Sequence, residues 1–219
     1  MATRELLAEL AKGCERDLSQ PVLAEAAGGV DVAKRVQAGE AMDIVVLASN
    51  VIDKLIADGK LLSGSRVDIV KSGIGIAVRK GGTRFEVGSE DAVKTAVLAA
   101  RTLSYSTGPS GNYLREMFER WGILQMIQER IVVPPPGVPV GSLVAKGECE
   151  LGFQQMSELI NLAGIDILGP LPESIQHLTV FSGGVAATSQ LSVSARRALE
   201  YMSSPGTADL KRRFGMDIP

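Results

Sequence analysis

Short apolar runs alternate with amphipathic helical patterns along almost the whole chain, and this rhythm restricts the fold to an α/β architecture in which helices cover sheet faces. The N-terminal residues Leu6, Leu7, Leu10 and Ala11 fall on one helical face. After them the pattern predicts a strand over Pro21–Ala26, a helix over Val30–Gln37, a strand over Asp43–Ala48, a helix over Asn50–Asp58 and a strand-like segment over Arg66–Arg79. Beyond Gly81-Gly82 come a helix over Ser89–Ala100, a strand over Thr102–Tyr105, a helix over Tyr113–Trp121 and a strand over Ile131–Val133. A helix over Val140–Lys146 and strands over Leu151–Gln154 and Ile165–Leu168 follow, then a long strand over His177–Thr188 and closing helices over Ser192–Ser203 and Thr207–Phe214. The run Pro134-Pro135-Pro136 reads as a stiff turn.

Two long β-rich segments, Ile69–Arg79 and Leu178–Thr188, bracket a middle block large enough to form a lobe of its own. The expected division is a discontinuous first lobe, residues 1–79 plus 186–219, and a second lobe, 80–185, with a ligand cleft between them. With 219 residues and 45% hydrophobic content the chain has material for two such cores. A net charge of -2 and 4% aromatic content give neither the basic footprint nor the stacking platforms of a nucleic-acid binder. No apolar run approaches the roughly 18 residues that span a bilayer. Cys14 and Cys149 with one histidine supply too few ligands for a zinc site, so neither a metal nor a cofactor is expected.

The segment with most chemical content is Leu103–Tyr113, where a short strand runs into Ser104, Ser106, Thr107, Gly108, Ser110 and Gly111 and then opens a helix. Free N–H groups at a helix start, hydroxyls and the positive end of the helix dipole together hold a carboxylate or oxyanion without a cationic side chain. The plainer alternative is that Ser110 simply caps the helix. His177 reads as a surface residue, Arg35 and Arg115 as members of solvated helix faces, and Tyr105 as a core aromatic.

The runs Ala38–Leu47, Gly59-Lys60 to Asp68, Gly73–Arg79, Tyr105 to Gly111 and Ala145–Glu158 together resemble, in order, the type II periplasmic solute-binding proteins, nearest the molybdate-binding-like branch. The resemblance implies a two-lobed α/β fold closing on a small solute and delivering it, as a monomer, to an ABC transporter permease in the periplasm. The segment before the first helix has no signal-peptide pattern, and the family's opening strand falls ahead of Met1, so a trimmed start is expected.

Carried over by position, the resemblance places ligand contacts at Gly28, Gly29, Val30, Ser49, Ser106, Thr107, Ser110, Gly111, Val140 and Gln155. Oxyanion-binding members have hydroxyl residues where this chain has Gly28 and Gly29, and a tyrosine near Gln155. A small organic carboxylate or polycarboxylate is therefore the leading ligand, with a molybdate- or tungstate-type oxyanion as an alternative. The branch also includes aconitate isomerase-like members, which implies a second alternative, double-bond isomerisation of an unsaturated acid by proton transfer. Its acid/base candidates are Tyr113, Tyr105, Ser106, Glu148 and Glu158.

Overall fold

A computed structural model describes residues 2–135 and 137–219. Expectations that rest on Met1 and Pro136 lie outside these described residues. The chain forms two compact units, residues 1–71 with 179–219, and residues 72–178.

Unit 1 holds α1 (Arg4–Leu18), α2 (Gly29–Gln37), β1 (Ile44–Ala48), α3 (Ser49–Ala57) and β2 (Val67–Ser72). Unit 2 begins at Ser72, the last residue of β2, and contains β3 (Ile74–Arg79), α4 (Glu90–Ala99), β4 (Leu103–Tyr105), α5 (Pro109–Arg120), α6 (Leu124–Ile127), α7 (Val140–Lys146), β5 (Leu151–Gln155), α8 (Met156–Leu159) and β6 (Ile165–Pro170). The chain then returns to unit 1 for β7 (Thr179–Val185), α9 (Ser192–Ser203) and α10 (Ala208–Arg213). No helix among the described residues is long and apolar enough to cross a membrane.

The unit boundaries fall earlier than the expected 79/80 and 185/186, because strand pairing decides membership. β3 pairs antiparallel with β5 and β6, so it belongs to unit 2. β7 pairs antiparallel with β1, from Ile44 opposite Val185 to Ala48 opposite Phe181, so it belongs to unit 1. The single apolar run Arg66–Arg79 is thus cut at Gly73 into two strands that serve different sheets.

In unit 1 the sheet order is β1-β7-β2. Side chains of β1 alternate between two covered faces: Val45 and Leu47 pack with Ile52 and Leu55 of α3, while Ile44 and Val46 join the core of Leu6, Leu10 and Leu199. Helix α9 lies close on β7 because Gly183 offers no side chain; a Cβ there would stand 2.3 Å from Leu199 Cδ2. Contrary to the pattern-based reading, Pro21–Ala26 is irregular, and Leu23 is fully exposed at 101%. Among the described residues this segment pairs with no strand, not even the open outer edge of β1, and an apolar run without a ladder partner does not hold as a strand.

In unit 2 the order is β4-β5-β3-β6, with β4 and β5 parallel and in register from Leu103 opposite Leu151 to Tyr105 opposite Phe153. Its core gathers Ile74, Ile76, Val97, Leu114, Phe118, Leu151 and Phe153. The strand expected over Ile131–Val133 reduces to one bridge between Ile131 and Leu103, since the prolines that follow remove N–H donors.

Candidate functional site

Because β4 and β5 run parallel, their C-terminal ends open on the same side of the unit 2 sheet, where ligands of open α/β sheets characteristically sit. Each end passes directly into a turn and helix: Tyr105 into Ser106–Gly108 and α5, and Gln155 into α8.

Helix α5 starts earlier than its apolar periodicity suggests, at Pro109, with Gly108 as the flanking residue. Ser110 is therefore not the cap but the second helical residue. Proline suits the first helical position, since its fixed φ matches the helix and its missing N–H is one that the helix leaves unbonded. The N–H groups of Gly111 and Asn112 bond back to the Gly108 carbonyl at 3.0 and 3.1 Å. Among the described residues, the N–H groups of Thr107, Gly108 and Ser110 meet no protein acceptor. The Ser106 and Ser110 hydroxyls lie 2.9 Å apart, so one donates to the other and one hydroxyl proton stays available. No acidic residue occupies the first turn of α5.

Gly111 makes this compact turn possible. A Cβ at Gly111 would stand 1.5 Å from the Ser106 carbonyl oxygen and 2.7 Å from its carbon. The helix backbone therefore presses against the loop where any side chain would be, and it fixes Ser106 opposite Ser110.

The neighbouring β5 end is also organised. Gln154 is buried, and its Oε1 accepts the Gly141 N–H at 2.9 Å, fastening the start of α7 to β5. That leaves Gln155, also buried, as the other glutamine of the pair at the strand end. Val140, the first residue of α7, is buried. The Ser157 hydroxyl is buried and has no partner among the described residues. Burial pushes the Glu158 carboxyl above the usual carboxylate range, opposed by a hydrogen bond with Gln154.

In unit 1 the expected contacts fall at two other helix starts. Ser49 opens α3 directly after β1, and no side chain caps that end. Gly28, Gly29 and Val30 open α2, but here Asp31 stands over the turn, its carboxylate 3.1 Å from the position of a Gly28 Cβ. The α2 start therefore already carries a carboxylate, and a second anion there meets repulsion as well as the helix dipole. A cavity of about 160 Å³ lies elsewhere in unit 1, at Met42, Lys60 and Thr188.

The acid/base candidates separate. Tyr105 packs edge-on against Phe118 at 5.9 Å, and burial pushes its hydroxyl above the usual tyrosine value, opposite to what a tyrosine base requires. Tyr113 donates its hydroxyl to the Ile175 carbonyl at 2.9 Å and stacks on His177, ring centroids 4.7 Å apart. His177 is thus half-buried rather than a surface residue, and burial holds it below the usual histidine range. Glu148 is exposed, 4.0 Å from Lys146. Arg35 pairs with Glu25 and Glu40, and Arg115 with Glu119, all at the surface. Cys14 and Cys149 are buried free thiols, and burial pushes Cys149 up to about 12.

Pattern reading missed Gln176. Its side-chain amide accepts the Ile74 N–H at 2.8 Å and donates to the Ile74 and Leu171 carbonyls at 3.1 and 3.2 Å, standing in for a strand partner at the start of β3. No local signal announces a contact across 102 residues.

Comparison with known proteins follows this geometry. An aconitate isomerase from Pseudomonas sp. is 38% identical over 180 residues, covering 81% of this chain and 68% of that enzyme. The periplasmic molybdate-binding protein of Azotobacter vinelandii superposes with a TM-score of 0.81 at 19% identity, covering 99% of this chain and 96% of the other. The substrate-binding domain of a molybdenum ABC transporter protein from Clostridium difficile gives 0.77 at 15% identity, covering 100% and 95%. The family model described as bacterial extracellular solute-binding protein matches residues 1–217. The chain belongs to this bacterial extracellular solute-binding family and has the α/β fold of the periplasmic binding proteins.

Proposed function

We propose that this protein binds a small organic polycarboxylate, aconitate or a close analogue, as the periplasmic solute-binding component of an ABC-type transporter. The observation that carries the reading is the Ser106–Gly111 turn. Three backbone N–H groups and a hydroxyl proton there meet no protein acceptor among the described residues, no acidic residue lies in the first turn of α5, and Gly111 holds the turn in place. Neutral donors satisfy an anion without burying a counter-charge, and each charge-assisted bond contributes about 1.5–3 kcal/mol. The further contacts expected are Ser49, Val140 and Gln155. The glycines at 28 and 29, with Asp31 over them, argue against a hydroxyl cage for molybdate or tungstate.

A second reading, isomerisation of the double bond of aconitate by proton transfer, is favoured by the Pseudomonas relative. The acid/base group it would use is Glu158, the carboxyl among the candidates that burial inclines to hold a proton.

Thermal unfolding with trans-aconitate, citrate and molybdate, combined with ultraviolet absorbance of the aconitate mixtures, tests both. A ligand at one hundred times its dissociation constant stabilises by about 2.7 kcal/mol, roughly 5–10 °C for a chain of this size. A shift of that size with a carboxylate and constant absorbance supports transport. Absorbance change at catalytic protein concentration, lost in Glu158→Gln, supports the isomerase. Stabilisation by molybdate alone overturns the carboxylate reading.

A further inference from the structure

Lys211 is fully buried, and its Nζ has no hydrogen-bond partner among the described residues. It lies on α10, and Leu210 of that helix and Phe214 just after it pack into the unit 1 core with Leu6, Leu10 and Cys14 of α1, Ile69 and Val70 of β2, and Leu199 and Met202 of α9. An ammonium in such surroundings is poorly tolerated unless it loses its proton or reaches water.

Several charged groups on the elements that build this core are paired with one another. Arg212 pairs with Asp209 and Asp217, Arg16 with Asp17, and Asp68 with Arg66 and the Ser182 hydroxyl. Among the buried residues of this core the titratable group is the Cys14 thiol, which burial also keeps protonated, and Tyr201 of α9, packed against the core, donates its hydroxyl to Asp17. No carboxylate acts on Lys211; burial alone draws its amine below the usual lysine range.

The segment that carries Lys211 is short and has one ladder contact to the sheet. Helix α10 has six residues, follows a turn at Pro205–Thr207 and stops at Phe214. Past α10 it is tied to the sheet by the paired hydrogen bonds of Lys71 and Asp217, at 2.8 and 2.9 Å. Met216 beyond the helix is buried in the same core, and a short segment held by so few ladder bonds opens locally at lower free energy than the whole unit unfolds.

We propose that residues 208–219 form a proton-gated latch, docked on unit 1 while the Lys211 amine is neutral and released when it takes a proton. The sign follows from linkage. The docked form binds fewer protons than the released form between its lowered folded pKa and the ordinary value of 10.5. As pH falls through that window, docking weakens by up to tenfold per pH unit; below the folded pKa this group adds no further dependence.

Amide exchange read by mass spectrometry from pH 6 to 10 tests it, comparing the intact protein with Lys211→Met so that the intrinsic pH dependence of exchange cancels. The wild-type to variant rate ratio for residues 208–219 should climb up to tenfold per pH unit lowered within the window, while the ratio for α4 stays constant. Equal rates at every pH, or a change spread evenly over α1, α9 and β7, would overturn the latch. Should Lys211→Met fail to fold, the wild type alone decides: exchange of residues 208–219 relative to α9 must accelerate as pH falls, and a pH-independent ratio refutes the proposal.

Discussion

Replacing Gly111 by alanine tests the proposed anion-binding role of the Ser106–Gly111 turn at the point where it is tightest. An ordinary carbon to oxygen contact is about 3.3–3.6 Å, whereas the alanine Cβ would start 1.5 Å from the Ser106 oxygen. The Ser106 carbonyl must therefore retreat by roughly 2 Å, or the first turn of α5 must unwind, and Gly111 is buried, so there is no open side toward which to yield. A displacement of that size takes donors arranged at hydrogen-bond distance out of reach. Losing two charge-assisted bonds of about 1.5–3 kcal/mol each weakens binding by about 3–6 kcal/mol, on the order of 10² to 10⁴ in Kd. Isothermal titration with trans-aconitate, run well below the unfolding temperature and alongside circular dichroism to verify the fold, reads this directly. Ser110→Ala, which removes one hydroxyl and leaves the backbone in place, should cost no more than one such bond. A folded Gly111→Ala protein that binds within about threefold of wild type would refute the assignment of the turn. If the wild type itself binds no carboxylate, the functional reading fails before the turn is tested.

Three further measurements follow from the same structure. Gln176→Leu strands the buried Ile74 N–H, whereas the Ile74 carbonyl keeps its bond from the Leu171 N–H at 2.9 Å; the urea midpoint should fall by the equivalent of about 1–3 kcal/mol. Glu158→Gln removes a carboxyl that burial raises above 4.5, so wild-type stability is lost relative to the variant as pH rises from 4.5 through the raised folded value, seen as diverging urea midpoints from pH 4 to 8. Amides of β1 that point away from β7 should exchange much faster than those bonded to it, because β1 is the end strand of its sheet among the described residues.

Which of these features can be read before folding depends on how far the deciding contact lies along the chain. Helix α9 matched its pattern residue for residue, because its heptad-like spacing of Ala195, Ala198, Leu199 and Met202 is local and all four are buried on one face. The strand expected at Pro21–Ala26 failed for the opposite reason: its residues suit a strand, yet a strand exists only through its neighbour, and β1 has one neighbour, β7. The unit boundaries shifted by the same logic, since only the pairing of β3 with β5 and β6 shows that Ile74–Arg79 serves the second sheet.

The Ser106–Gly111 turn shows both limits at once. Its composition of serines, threonine and glycines next to Pro109 signals a helix start with free donors, and the proline marks the first helical position more surely than the serine after it marks a cap. What composition cannot express is that Gly108 and Gly111 play different parts. Gly108 precedes the helix, and a Cβ there would meet nothing nearer than the Ser106 hydroxyl at 3.9 Å, whereas one at Gly111 would collide with the Ser106 carbonyl. Alanine at 108 should then leave carboxylate binding within about threefold, while alanine at 111 abolishes most of it. Equal losses at the two positions would mean that the turn needs glycine for backbone freedom in general, and that the close approach of α5 to Ser106 is not what holds the donors in place.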